Sequence, residues 1–420
     1  MAWSDLPIDI LRCISSYLSI VDLVRLSVVC TLWNLTLTNY ALFGFQCRPS
    51  PWLLLPNDVG EASDTLTFYD VTIEEEEEVS VGYQRRFSSL SSHIYGRRCF
   101  GSKDGWLVTL DKKHLQPQLF NPLTKAELLL PSLFTIPKDH GHIIEPKYAP
   151  DGSIRFFCNE TSLYFTVGEE GLRDIYFHKI IVSSNDLFRT TIIIYGFTKA
   201  LALARPGDQT WVLCPQLAPY TLKHNEQFED VYYHDEDQRF YAITHYSMVV
   251  AFDLNGQNVE LICPAMQNPC WRNRHSDYMY YIIFLSGTLL KIERVIKNYK
   301  EEINRTNKVK TTSFIISKSV PAVVSSSNSY PQWVPIKDLG GYSLFVGCNQ
   351  TFYLHHKVAP GIRPNCIYFA DHLSNMLPEN VSKDVGLFEL RNRQFEYFLD
   401  SDSQSNWPPS IWFIPTLSIS

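Results

Sequence analysis

Apolar residues recur at helical spacing at the front of the chain and at strand spacing through most of the rest. Ile10, Leu11, Ile14 and Leu18 repeat at intervals of three and four, with Arg12, Ser15 and Ser16 between them, the pattern of one buried helix face. Pro7 suits a first helical position, where its missing N–H would be unpaired anyway, and Asp9 complements the helix dipole in the first turn. Ser19 followed by Asp22 reads as a capping box that opens a second helix, with Leu23, Leu26, Val29 and Cys30 on one side. A third segment, Thr31 to Tyr40, holds Leu32, Trp33, Leu35 and Leu37. Three short helices in some forty residues lie near the lower size limit for unaided folding, so something else must cover part of their apolar surface. That cover is either a partner or the body of the chain itself, with the helices as a cap.

Cys47 to Asp64, rich in Pro and Leu, reads as an extended segment that packs rather than a free tether. From Gly96 the chain becomes a succession of short strands between turn signals. Gly105 to Asp111 is one, and Gln118 to Thr124 leads through a turn to Ala126–Pro131. Asp230–Tyr233, Arg239–Thr244 and Met248–Leu254 make a three-strand meander around the polar turn His234-Asp235-Glu236-Asp237. Tyr280–Phe284 with Thr288–Ile292, and Tyr342–Val346 with Thr351–Leu354, repeat that form, the last pair joined by Gly347-Cys348-Asn349-Gln350. Units recur at roughly 50-residue intervals, which suits propeller blades, whereas a single sandwich rarely needs so long a chain. The expected fold is α+β and multidomain: a small three-helix module followed by a mainly-β propeller of six or seven blades. Expected boundaries are 1–45 for the helices, 46–95 for a connecting segment with the start of the β domain, and 96–415 for the propeller.

Charge changes this picture little. The net charge of -7 is dispersed, which argues against a nucleic-acid surface. Glu74 to Glu78 reads as a solvated loop, or else as a docking site for a basic partner. Lys291 to Lys318 carries Arg294, Lys297, Lys300, Arg305, Lys308 and Lys310 against Glu293, Glu301 and Glu302. It reads as a solvated hairpin tip, or as a basic loop that recognises an acidic partner. The longest apolar stretches, Thr191–Ala204 and Tyr278–Leu290, are too short for a membrane span and read as paired buried strands, and no secretory signal is expected. The ten cysteines include no C-x-x-C pair, so reduced thiols in the nucleus, the cytoplasm or both are the simplest account.

No catalytic motif stands out: there is no H-E-x-x-H, P-loop or G-x-S-x-G. His234–Asp237 lacks the spacing of a calcium loop, and His355-His356 and His140-Gly141-His142 read as loop residues. Catalytic, cofactor and metal residues are therefore expected to be none. A propeller enzyme with the helices as a cap is the alternative, and it would need His and carboxylates converging on the central channel.

Leu6-Pro7, Asp9-Ile10-Leu11, Ile14, Leu18, Asp22-Leu23, Arg25-Leu26, Val29-Cys30 and Trp33-Asn34 resemble the F-box pattern in order. The body carries a second resemblance, in Gly96–Ser102 before Gly105–Val108, Leu339–Gly347 with Asn349-Gln350, Pro364–Phe369, Asp384–Phe388 and Trp407–Trp412. Together these are similar to the KIB-type C-terminal domain of plant F-box proteins, expected to be a β-propeller. The stretch Ser63 to His93 departs from that pattern. The resemblance implies a non-catalytic substrate receptor of a Skp–cullin–F-box ubiquitin ligase. It would bind a Skp-type adaptor, and through it a cullin-RING ligase, and would hold a target protein on the propeller. The residues implied at the adaptor are Leu6, Pro7, Ile10, Leu11, Ile14, Leu18, Leu26, Val29 and Trp33. A scaffold whose target is not degraded is compatible with the same resemblance.

Overall fold

The structure, a computed structural model, describes residues 6–38, 49–55, 66–71, 84–87, 97–111, 114–137, 143–148, 154–160, 163–168, 176–184, 189–196, 198–217, 219–220, 226–265, 276–300, 307–321, 330–370, 384–398 and 410–416. The glutamate run 74–78 and the pair His140 and His142 lie outside them.

Three helices come first: α1 Ile8–Ser15, α2 Ile20–Ser27 and α3 Thr31–Thr38. Pro7 stands one place earlier than expected, as the cap residue with extended ψ of 145°. The capping box forms: Ser19 Oγ accepts from the Asp22 N–H at 3.3 Å and donates to Asp22 Oδ2 at 2.8 Å. α2 ends at Ser27, so Val29 and Cys30 fall in the joint before α3 rather than on the second helix.

The strands that follow form seven sheets among the described residues, and six of them close into a ring. The second blade is Arg98–Lys103, Trp106–Leu110, Pro117–Phe120 and Glu127–Leu129. The third is Phe177–Val182, Thr191–Tyr195, Ala200–Ala204 and Val212–Leu213. The fourth is the meander expected from sequence, Phe228–His234, Arg239–Thr244 and Val249–Phe252, with Glu260–Cys263 added outside. The fifth is Ser276–Leu285, Thr288–Lys300, Asn307–Val320 and Gln332–Ile336. In the sixth, Phe352–His355 turns back on Tyr342–Val346, which then pairs in parallel with Cys366–Phe369 before Gly386–Glu389 and Gln394–Tyr397.

Trp52–Leu55 is not a connector. It pairs with Leu66–Asp70 on one side and with Trp412–Phe413 on the other, so the first blade is built from both ends of the described chain. Gln84–Phe87 completes it, which places strands inside the stretch that departed from the family pattern. The seventh sheet, Ile143–Tyr148, Ile154–Glu160 and Leu163–Gly168, comes between the second and third blades in sequence. Those two blades nevertheless pack directly on each other, through Phe100, Val108 and Leu119 against Tyr176, Ile180 and Ile193. Six blades, not seven, therefore make the ring.

Apolar clusters lie between successive blades. Ile181, Ile192 and Val231 join the third to the fourth. Tyr241, Tyr281 and Phe369 belong to one cluster that runs from the fourth through the sixth. Phe345, Tyr368 and Trp412 join the sixth to the first. The cluster between the first and second blades, with Trp52, Phe68 and Leu107, also takes in Leu11, Ile20, Leu23 and Trp33 of the helices. At roughly 1.5–3 kcal/mol for each fully buried large side chain, this shared core seats the module on the ring. No helix among the described residues is long and apolar enough to cross a membrane.

Candidate functional site

The helical module has two kinds of apolar residue. Leu11 and Trp33, at 2% and 5% exposure, are core, and among the described residues the Trp33 indole N–H has no hydrogen-bond partner. Both were expected at an adaptor contact, but in the free chain they hold the helices to one another and to the first blade. Leu6, Ile14, Leu18 and Leu26 are half-buried, as side chains shared between core and surface should be. Pro7, Ile10 and Val29 are exposed.

The structure adds residues that the F-box resemblance did not place at the adaptor. Ile8, Tyr17, Val24, Val28, Leu32 and Leu35 are also exposed, Val28 at 77% and Leu35 at 62%. Val24 and Val28, the C-cap residue of α2, stand about one turn apart, and Leu32 and Leu35 share a side of α3. The signal was present in the spacing: in α3 both Leu32 and Leu35 adjoin a residue that turns inward, Trp33 or Thr36. Eight of the fifteen large apolar side chains exposed among the described residues lie between Ile8 and Leu35, in these helices and their joints. Scattered exposed apolar residues need no explanation, but such a concentration in so short a segment marks an interaction surface.

A second candidate location is the axis of the ring, where a propeller enzyme would place its groups. Gly347 to Gln350, read from sequence as a hairpin turn, is instead buried there. The Gly347 carbonyl accepts from Lys179 Nζ of the third blade at 3.3 Å. The Gln350 amide exchanges bonds with the backbone of Tyr233 in the fourth, at 3.3 and 3.2 Å. Asn349 Oδ1 accepts from the Trp412 N–H of the first at 3.4 Å. Gly101 of the second lies so close that an added Cβ would stand 3.4 Å from Asn349 Cα. One stretch of the sixth blade thus touches the first four and fills the axis.

Beneath it, Lys179 Nζ meets Asp230 Oδ1 at 2.5 Å with both side chains fully buried, and Asp230 Oδ2 accepts from the Ile282 N–H of the fifth blade at 3.0 Å. Burial pushes the Asp230 carboxyl above its ordinary value, against the pull of Lys179. Nearby, Lys199 lies 2.7 Å from Glu229 and His245 3.3 Å from the same carboxylate. Burial raises Glu229, but these two partners outweigh it and hold its pKa low. His178, partly buried beside Lys199, is lowered to about 4 by desolvation and bonds the Gly196 carbonyl at 2.8 Å. Burial lifts the Cys99 and Cys214 thiols to about 12, far from a reactive thiolate.

His234–Asp237 forms the turn expected of it, with Asp237 accepting from Tyr241 and engaging His234 Nδ1 at 3.0 Å. His355 and His356 stack at 4.6 Å beside Tyr342. Among the described residues, no group of three or more His, Cys, Asp or Glu side chains is arranged to hold a metal ion.

Three short helices with exposed apolar side chains are thus seated on a ring of six blades. Comparison with known proteins gives these parts their family. An F-box domain matches residues 3–43, and the KIB1-4 β-propeller matches residues 73–389. The chain belongs to the F-box proteins that carry a KIB1-4 β-propeller. Among its relatives, an F-box/kelch-repeat protein of Arabidopsis thaliana is 30% identical over 98% of this chain and 96% of its own. The F-box/kelch-repeat protein KIB1 of the same plant is 22% identical, covering 92% of this chain and 82% of that one. A putative F-box protein of Arabidopsis thaliana is 20% identical over 99% of this chain and 97% of its own. Of solved structures, the Cps50 (Swd1) β-propeller domain of Myceliophteria thermophila aligns with 10% identity over 72% of this chain and 85% of that chain. Its TM-score of 0.28 is too low to add to the fold.

Proposed function

We propose that this chain is the substrate-recognition subunit of a Skp–cullin–F-box ubiquitin ligase. The helices hold a Skp-type adaptor, and through it a cullin-RING ligase, while the ring holds a target protein. The observation that carries the reading is the gathering of exposed apolar side chains on α1 to α3. In this role the chain makes no bond itself. It raises the target's effective concentration near the bound E2, so rate follows proximity. The filled axis fits such a division of labour, because binding then falls to the rim and the loops rather than to a central pocket.

The test is co-elution of the full-length protein with a Skp-type adaptor, with the affinity measured by calorimetry. Leu35→Asp with Val28→Asp removes two exposed apolar contacts without touching the core and weakens the complex at least tenfold, and Leu6→Ala with Pro7→Ala weakens it too. Circular dichroism confirms that the variants fold, and the wild-type association has a negative heat-capacity change from apolar burial. No complex with the intact chain sinks the proposal.

A further inference from the structure

The fifth blade does not stop at the rim. Two of its strands, Thr288–Lys300 and Asn307–Val320, run 13 and 14 residues and stay paired as far as Lys300 opposite Asn307. Strands of the other blades have at most 7 residues. The basic run read from sequence as a hairpin tip, or as a basic loop, is mostly a β-ribbon. The outermost strand, Gln332–Ile336, pairs with residues 316–320 alone. Among the described residues, no strand covers the edge from Asn307 to Ile315. One outward bond is made there, from the Thr311 N–H to Asp384 Oδ2 at 2.8 Å.

Charge on this ribbon is one-sided. Lys297 and Lys310 sit directly opposite each other in the ladder, both exposed. Like charges opposed across strands are unfavourable, so this pair is a local liability in the free chain. Lys310 Nζ rests 4.3 Å from the Tyr397 ring centroid, and Arg393 reaches the ribbon by donating to Ser313 Oγ at 3.0 Å. Among the described residues none of these three cations has an acidic partner, because the neighbouring acids are engaged elsewhere. Glu293 pairs with Lys291, Glu396 with Arg363 and Asp338 with Arg391.

We propose that this edge, flanked by Lys297, Lys310 and Arg393, takes an acidic extended segment of a target protein as an added strand. An open edge supplies backbone bonds, and the cations choose the charge of what fills it. A second copy of the same edge would bring lysines against lysines, so charge selects against self-pairing and for an acidic strand. The inference deepens the receptor reading by naming the class of target segment.

The test uses the full chain and a fluorescein-labelled peptide of alternating Glu and Val, followed by fluorescence anisotropy at 50 and 200 mM salt. Controls are the Gln–Val peptide, a Glu peptide interrupted by Pro, and a single-stranded RNA. Binding of the Glu–Val peptide that weakens with salt, and falls at least tenfold in Lys297→Glu/Lys310→Glu and in the milder Lys297→Ala/Lys310→Ala, is the expected result. Equal binding of the Gln–Val or Pro-interrupted peptide, unchanged binding by the variants, or tighter binding of the RNA would overturn it. Adaptor co-elution is run on the same variants. Retained adaptor binding with lost peptide binding assigns the effect to the ribbon, whereas peptide binding by a chain that captures no adaptor sinks the receptor reading alone.

Discussion

Replacing Lys179 by Met removes the ammonium facing Asp230 while keeping most of the side-chain volume. The carboxylate then keeps its bonds from the Ile282 and Val231 N–H groups but has lost the cation at 2.5 Å. It must stay charged in the interior or take up a proton. The second route sets a ceiling, since protonating a carboxyl of ordinary pKa at pH 7 costs about 4 kcal/mol. Breaking a buried pair from one side costs about 3–5 kcal/mol by mutational experience, which agrees. At pH 5 the ceiling falls to about 1.5 kcal/mol. Burial raises this carboxyl in the folded state, so the folded chain binds more protons than the unfolded chain between the two pKa values. Acidification through that window therefore favours the fold, and the deficit of Lys179→Met shrinks as the pH falls. Asp230→Asn behaves differently, because acid cannot neutralise the ammonium it strands. The double variant Lys179→Met/Asp230→Leu loses less than the two single variants together. Urea unfolding followed by tryptophan fluorescence at pH 7 and pH 5 measures all four proteins. A Lys179→Met deficit below about 1 kcal/mol at pH 7, or one that does not shrink at pH 5, refutes the account.

Three further outcomes follow from the geometry. Ser19→Ala removes the α2 cap and destabilises that helix by about 1 kcal/mol, seen as faster hydrogen exchange at the Asp22 amide. His178, held at about 4 by burial, contributes stability that is complete above pH 6.5 and is lost as the pH falls toward 4, roughly 3 kcal/mol in all. The urea midpoint of His178→Leu should accordingly decline less steeply than wild type between those values. Gly386→Ala places a Cβ 2.1 Å from the Glu396 carbonyl in the adjacent strand, so the ladder must shift, and a loss of about 1–3 kcal/mol or more in urea unfolding is expected.

What could be read in the sequence was local. Helical spacing and the Ser19–Asp22 pair located the module, and strand–turn–strand alternation located strands of the second, fourth, fifth and sixth blades. The meander around His234–Asp237 is an example, because hairpin partners lie within a few residues of each other. Long-range pairing leaves no such trace. Nothing near Trp52–Leu55 announces that its partner is Trp412–Phe413, so a central strand reads as a packed connector. Gly347–Gln350 has the composition of an exposed turn, and only closure of the ring makes its amides internal. In the helices, spacing marked apolar positions but not the direction they face. Leu11 and Trp33 turn inward because the first blade offers them a core, and Leu32 and Leu35 are left outside.

The first blade has a consequence for how the protein is made. Trp52–Leu55 emerges early in synthesis, yet its inner neighbour, Trp412–Phe413, is translated only after every other strand of the ring. Until then the core that seats Leu11 and Trp33 lacks Ile411 and Phe413. A nascent chain stalled before residue 411 would carry the module on an unclosed ring, because Trp52–Leu55 would lack its partner strand Trp412–Phe413. Closure of the ring is in this sense built into the footing of the three helices.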